Sequence, residues 1–128
     1  MDIRIVNLPT EMEWTTKIGV DGRLDATTSP QFEKAMDPIL EQGMDYLILD
    51  LSKVSFISSA GIRALMYVNK SLAEKHAKVI CINMQPQIAK VMETIKQLPG
   101  LHVFKNDEEM DRYLSQIQEE VLRKKSQP

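Results

Sequence analysis

Apolar residues change their spacing several times along this chain, and each change marks an element boundary. Ile3 and Ile5 alternate with polar neighbours, which predicts a short strand. Pro9, Thr10 and Glu11 make a turn, and Trp14, Thr16, Ile18 and Val20 then share one face of a second strand. So short a link predicts an antiparallel hairpin. Residues 21–25 lead into Thr27-Thr28-Ser29-Pro30, a helix-start cluster. Either Ser29 caps ahead of Pro30 or Thr28 pairs with Gln31 as a capping box. Phe32, Ala35, Met36, Ile39 and Leu40 recur at helical spacing; Pro38 is placed to bend that helix and Gly43 to stop it.

Residues 46–51 are nearly continuous in apolar side chains, as in a strand covered on both faces. An eight-residue loop, 52–59, is expected next. Its part 54–57 is apolar for a loop and should pack down, fixing the serines that follow. Ile62, Leu65, Met66, Leu72 and Ala73 mark a second amphipathic helix, and 79–82 another buried strand. Pro86 opens a third helix with Ile88, Val91, Met92 and Ile95 inward, and Pro99-Gly100 ends it. Residues 101–104 read as an edge strand. Asn106 with Glu109 forms the cap signature of a final helix, whose core stripe is Met110, Tyr113, Leu114, Ile117 and Val121. The order predicts an α/β fold: a mixed, mostly parallel sheet of four to five strands, with βαβ crossovers and about four helices. A single domain is expected over 1–122, with a basic C-terminal tail at 123–128. Parallel strands end at one edge of the sheet, where α/β proteins place their sites. Segments 22–28, 52–59 and 83–87 are expected there, so Asp25 should neighbour the Ser58-Ser59 turn.

Composition narrows the function. A chain of 128 residues is long enough to bury a core without staples. A net charge of −2 offers no basic excess for nucleic acid, and no apolar run approaches the roughly 20 residues of a membrane span. One cysteine, Cys81, cannot form an internal disulfide and fits a reducing compartment. The first residues lack the pattern of a signal peptide. The expectation is a cytoplasmic protein that binds neither nucleic acid nor membrane. The short basic run at the end reads as a solvated helix terminus.

Catalytic motifs are missing. The glycines form no phosphate loop, and no CxxC or HxxxH spacing offers a metal site, so no cofactor is expected. His76 and His102 have no evident partners. Residues 56–61 lack the first Gly of a nucleophile elbow, so a hydrolase using Ser59 has weak support. The acids at 107–109 suit a helix's first turn. The methionines read as core filler. The chain is read as a non-enzyme.

Ser58-Ser59-Ala60-Gly61 opens the second helix. One serine can cap the first-turn amides, and Gly61 can admit a neighbouring segment closely. The same helix start tolerates a phosphate, which brings about −1.5 to −2 charges at pH 7. Capping and switching are therefore compatible, with either serine as the acceptor. At these residues the chain resembles a stand-alone STAS domain of the anti-sigma-factor-antagonist family. Gly22-Arg23-Leu24-Asp25 is similar to the family's early motif, and Leu49-Asp50-Leu51-Ser52 to its second. Residues 54–61, continuing into Ile62-Arg63, match its signature loop.

The resemblance implies partner switching. The unphosphorylated form binds an anti-sigma factor that is also a serine kinase. Phosphorylation releases it, and a metal-dependent serine phosphatase resets it. The implied acceptor is Ser59, two residues before Gly61, with Ser58 as second choice because it stands where many relatives carry Asp. Asp25, Ser52, Ser58, Ser59, Gly61 and Arg63 are the implied partner-binding residues. The alternative is a STAS module that is never phosphorylated and serves as a scaffolding or ligand-binding subunit of a transport or stress-signalling complex.

Overall fold

The strands lie side by side in the order in which they occur in the chain. The computed structural model describes residues 3–10 and 12–125. Its sheet runs β1 (Arg4–Leu8), β2 (Thr15–Leu24), β3 (Tyr46–Ile57), β4 (Lys78–Ile82) and β5 (Leu101–Val103). The first pair is the expected antiparallel hairpin, and the other three pairings are parallel. The helices are α1 (Ser29–Leu40), α2 (Ser59–Ala73), α3 (Pro86–Met92) and α4 (Asp107–Lys125). The expected architecture of a mixed, mostly parallel sheet with four helices is therefore the observed one.

Consecutive parallel crossovers that share the usual right hand and always step the same way must put their helices on one face. That is the arrangement here. Phe32 and Met36 of α1, Leu65 and Val68 of α2 and Ile88 and Met92 of α3 form one core with Ile18, Leu47, Leu49, Leu51, Val79 and Cys81 of the sheet. α4 leaves the edge strand and returns across the opposite face. There Met110 and Leu114 cover Tyr46, Ile48, Ile80 and Ile82. Residues 46–51 read as buried on both faces because β3 lies in the middle of this sandwich.

Local chemistry departs from expectation in several places. Thr28 is the N-cap residue of α1, yet its side chain caps nothing in the helix, so neither the Ser29 cap nor the capping box forms. Pro38 does lie within α1, as expected, and the helix continues to Leu40. Trp14 precedes β2 and packs against Tyr46 on the α4 side, away from Ile18 and Val20. On α2 the buried stripe is Gly61, Ala64, Leu65, Val68 and Leu72, whereas Met66 is 41% exposed and Ala73 is also exposed. Val121 is 46% exposed, on the part of α4 beyond Leu114, the last buried residue of that helix among the described residues. Residues 123–125 form the last turn of α4, the helix terminus expected of the basic run; 126–128, the rest of the expected tail, lie outside the described residues, as does Glu11.

The largest difference is β3. Residues 52–57, expected as loop, are strand. The register with β2 slips twice: Gly19 pairs with Asp50 but Asp21 with Lys53, and Gly22 with Val54 but Arg23 with Phe56. Each slip inserts one extra residue into β3, a bulge that moves the following side chains to the other face. Val54 and Ile57 are thereby turned into the core and Phe56 out of it.

Candidate functional site

β2 and β3 stay paired to their last residues, Leu24 opposite Ile57. The chain then turns from β3 into α2 directly against the end of β2. The Ser58 N–H donates to the Leu24 carbonyl at 2.9 Å. Gly61 sits over that same carbonyl, and a Cβ built there would lie 2.3 Å from the Leu24 oxygen. Only glycine fits this approach, so Gly61 fixes the contact between the helix start and the end of β2.

Ser58 has extended backbone, and its Oγ accepts the Gly61 N–H at 3.3 Å. It is the N-cap, and Ser59 is the first residue of α2. Ser58 is half-buried and Ser59 is exposed. Among the described residues no hydrogen bond engages the Ser59 hydroxyl. It projects at the positive end of a 15-residue helix whose first turn holds no acid.

Asp25 follows β2 at the same edge, as the sequence predicts. Its Oδ1 accepts the N–H groups of Thr27 and Thr28 at 3.0 and 3.1 Å. The buried Thr28 hydroxyl donates to the Arg23 carbonyl and accepts the Asp25 N–H at 2.9 Å. The Thr28 amide above all, with the Thr27 amide and Arg23 assisting, holds the Asp25 carboxyl below the usual carboxylate range. Asp25 thus takes over the role expected of a helix-cap serine or threonine, and its charge is spent within the turn.

Arg23 and Phe56 face each other across the strand pair. The guanidinium lies 4.3 Å from the centre of the Phe56 ring, and Nε is 3.7 Å from Asp25 Oδ2. This exposed platform has no signature in the sequence, because it exists only once β3 is extended and its register is known. The remaining edge of β3 beyond β4 is covered by α3 side chains. Gln85 donates to the Ser52 carbonyl at 2.9 Å and Gln87 to the Ser55 carbonyl at 3.2 Å.

Asp25, Ser58, Ser59 and Gly61 are therefore brought together, and Arg63 lies exposed one turn further along α2. Ser52 is not with them. It sits in mid-strand, about 15–20 Å from Ser58 along β3. There its N–H donates to Asp50 Oδ1, and it lines a cleft of about 180 Å³ with Val6, Gly19, Asp21 and Lys53.

Other chemistry lies away from the helix start. His76 stands at the far end of α2, about 20–25 Å from Ser59. It takes a left-handed backbone (φ 61°) while the His76 and Ala77 N–H groups close the helix on Ala73 and Leu72. His102 is on edge strand β5 against Tyr113, and burial pushes its pKa down. Burial likewise pushes the Cys81 thiol up to about 12. No group of three His, Cys, Asp or Glu side chains able to hold a metal ion occurs among the described residues. No helix among them is long and apolar enough to cross a membrane.

Comparison with known proteins agrees with this fold. The family model for the STAS domain matches residues 13–110. The anti-sigma-B factor antagonist of Staphylococcus aureus is 22% identical over 80% of this chain and 94% of its own length. BtrV of Bordetella bronchiseptica, a candidate anti-sigma factor antagonist, is 26% identical over 58% of this chain; the chain spans 64% of BtrV's length. Among solved structures, the unphosphorylated anti-sigma factor antagonist SpoIIAA superposes with a TM-score of 0.63 at 19% identity, over 90% of this chain and 98% of that one. The SulP transporter STAS domain of Vibrio cholerae gives 0.65 at 19% identity, over 85% and 88%. At these identities the structural likeness carries the fold alone.

Proposed function

This chain belongs to the STAS domain family, and from that premise we propose that it is an anti-sigma factor antagonist that works by partner switching. The unphosphorylated protein binds an anti-sigma factor serine kinase in the cytoplasm. The kinase moves the γ-phosphoryl group of ATP to the Ser59 Oγ, releasing ADP and the hydroxyl proton, and the product leaves its partner. A metal-dependent serine phosphatase hydrolyses the ester with water and returns the protein to its binding form. The chain itself is a binding module and catalyses neither step. Docking uses the edge formed by Asp25, Ser58, Ser59, Gly61 and Arg63; Ser52 contributes through the adjoining sheet face.

The observation that carries this reading is the division of labour between the two serines. Ser58 Oγ is occupied as the cap, whereas the Ser59 hydroxyl stands free in solvent at the same helix start. A phosphate on Ser59 keeps the cap and meets the favourable end of the helix dipole, so the fold survives. A partner docked there meets about two new negative charges.

Incubation with the anti-sigma serine kinases of the source genome and ATP, followed by peptide mass spectrometry, tests the proposal. Phosphate is expected on Ser59, retained in Ser58→Ala and absent in Ser59→Ala. Ser59→Ala should still bind the kinase but resist release, and Ser59→Asp should bind poorly. No phosphate on either serine with any such kinase would leave the unphosphorylated scaffolding subunit as the better reading.

A further inference from the structure

We infer that the outward stripe of α2 is the docking face for an acidic partner surface and that Arg63 reads the phosphate. The inference rests on Ser59 as acceptor and adds the face and the reader. At 3.6 residues per turn, Ser59, Arg63, Met66 and Lys70 fall within about 60° of one another. All four are exposed, and the opposite stripe of the helix is the buried one. Tyr67 flanks them, 38% exposed, with its hydroxyl donating to Asp37 Oδ1 at 2.6 Å.

Charge indicates what this stripe fits. α2 carries Arg63 and Lys70 and no Asp or Glu, in a chain whose net charge is −2. The helix N-terminus adds partial positive charge at the Ser59 end. Among the described residues neither Arg63 nor Lys70 is held in an ion pair. The complementary occupant is a protein surface with an apolar socket for Met66, rimmed by carboxylates for the two cations.

Ser59 and Arg63 are four residues apart, so they are neighbours on the helix surface. An anion N-terminal to a cation at this spacing is the favourable orientation. A phosphate on Ser59 can therefore accept hydrogen bonds from the Arg63 guanidinium. Such a clasp removes from the partner a cation that it reads, and leaves residual negative charge facing the partner's carboxylates. The other nearby guanidinium, Arg23, is already committed to Asp25 and Phe56.

Two measurements test this. Phosphoserine is placed at position 59 during synthesis by codon reassignment, so that no kinase is needed, and the phosphate is titrated by phosphorus NMR. Arg63→Gln should raise its apparent second pKa by about 0.3 unit, and Arg23→Gln should leave it unchanged. An unchanged value in Arg63→Gln, or a shift in Arg23→Gln instead, overturns Arg63 as the reader. In the second measurement, the unphosphorylated protein is titrated calorimetrically with the kinase that modifies Ser59, loaded with a non-hydrolysable ATP analogue. Arg63→Glu, Lys70→Glu and Met66→Ala should each weaken binding about tenfold or more, and Gln116→Ala on α4 should not. Undiminished binding in the three α2 variants overturns the docking face. So does a protein whose mass doubles with concentration and reverts in Arg63→Glu, because the occupant is then a second copy. A kinase that modifies a residue other than Ser59 defeats the reading of the acceptor, and the titration still decides the clasp.

Discussion

Two adjacent serines share a helix start and differ in what holds them. Ser58 accepts an amide and Ser59 accepts nothing. Ser58→Ala should therefore cost about 1 kcal/mol, the usual cost of losing an N-cap, whereas Ser59→Ala should stay within about 0.5 kcal/mol of the wild type. Urea unfolding of the two variants checks this difference. Gly61 admits no side chain because the Leu24 carbonyl occupies the place of its Cβ. Gly61→Ala should destabilise by about 1–3 kcal/mol, as overpacking does, and lower the melting temperature accordingly. The glycine's close approach was legible in the sequence as a possibility, and so was the nearness of Asp25. The assignment of the cap to Ser58 was not, because a Ser-Ser pair offers the same chemistry twice and only backbone geometry chooses between them. Arg23 on Phe56 was also illegible, since the two residues meet only through the register of separate strands.

At the scale of elements, α1 could be read because its apolar residues keep the helical period, and the hairpin because Ile18 and Val20 alternate within β2, although Trp14 just before it packs on the other face. β3 keeps its period only as far as Leu51. Two extra residues then break the alternation, one between Asp50 and Lys53 and one at Ser55, and a strand with a broken period looks like an apolar loop. Val121 misled for the opposite reason. The helical period of α4 continues unbroken, but its 19 residues span about 28 Å, and Val121 lies where the helix reaches Trp14, Asp45 and Tyr46 at the start of β3. The end of α2 holds a strain that the sequence concealed. His76 occupies the left-handed position that glycine normally fills after a helix. His76→Gly should stabilise the domain by up to about 1 kcal/mol, seen as a higher urea midpoint. A loss of stability would mean that the imidazole makes contacts worth more than the strain.

For the whole molecule, the ordering of strands and helices was the most legible feature, because it needed only the sequence of periods and the handedness of crossovers. What could not be read is how α4 is tied across the sheet. Lys17 of β2 donates to Asp107 Oδ1 at 2.8 Å, and Asn83 donates to Asp107 Oδ2 at 3.1 Å and to Asp50 Oδ2 at 3.3 Å. The Lys17 side chain first, then Asn83, holds the Asp107 carboxyl below its usual range. Its folded pKa lies below the unfolded one, so this stabilisation is complete above about pH 4 and is lost as pH falls through the folded value. Lys17→Met should cost about 0.5–1 kcal/mol at pH 7, since the pair is partly exposed, and the difference in urea midpoint should shrink towards pH 3. Cys81, fully buried in β4, offers a second global measure. A thiol reagent should label it only at the rate of whole-domain opening; fast labelling under native conditions would mean that β4 opens locally.

The strand order has a consequence for how the molecule is made. Each strand after the first pairs with the one synthesised before it, so each emerges to find a partner that the ribosome has already delivered. The hairpin offers β2 as a template for β3, β3 for β4 and β4 for β5, with one helix completed in each interval. Parallel sheets are slow to assemble when distant segments must find one another. Here growth from the first strand onward keeps every closure local, and only α4, emerging last, must reach back across the sheet.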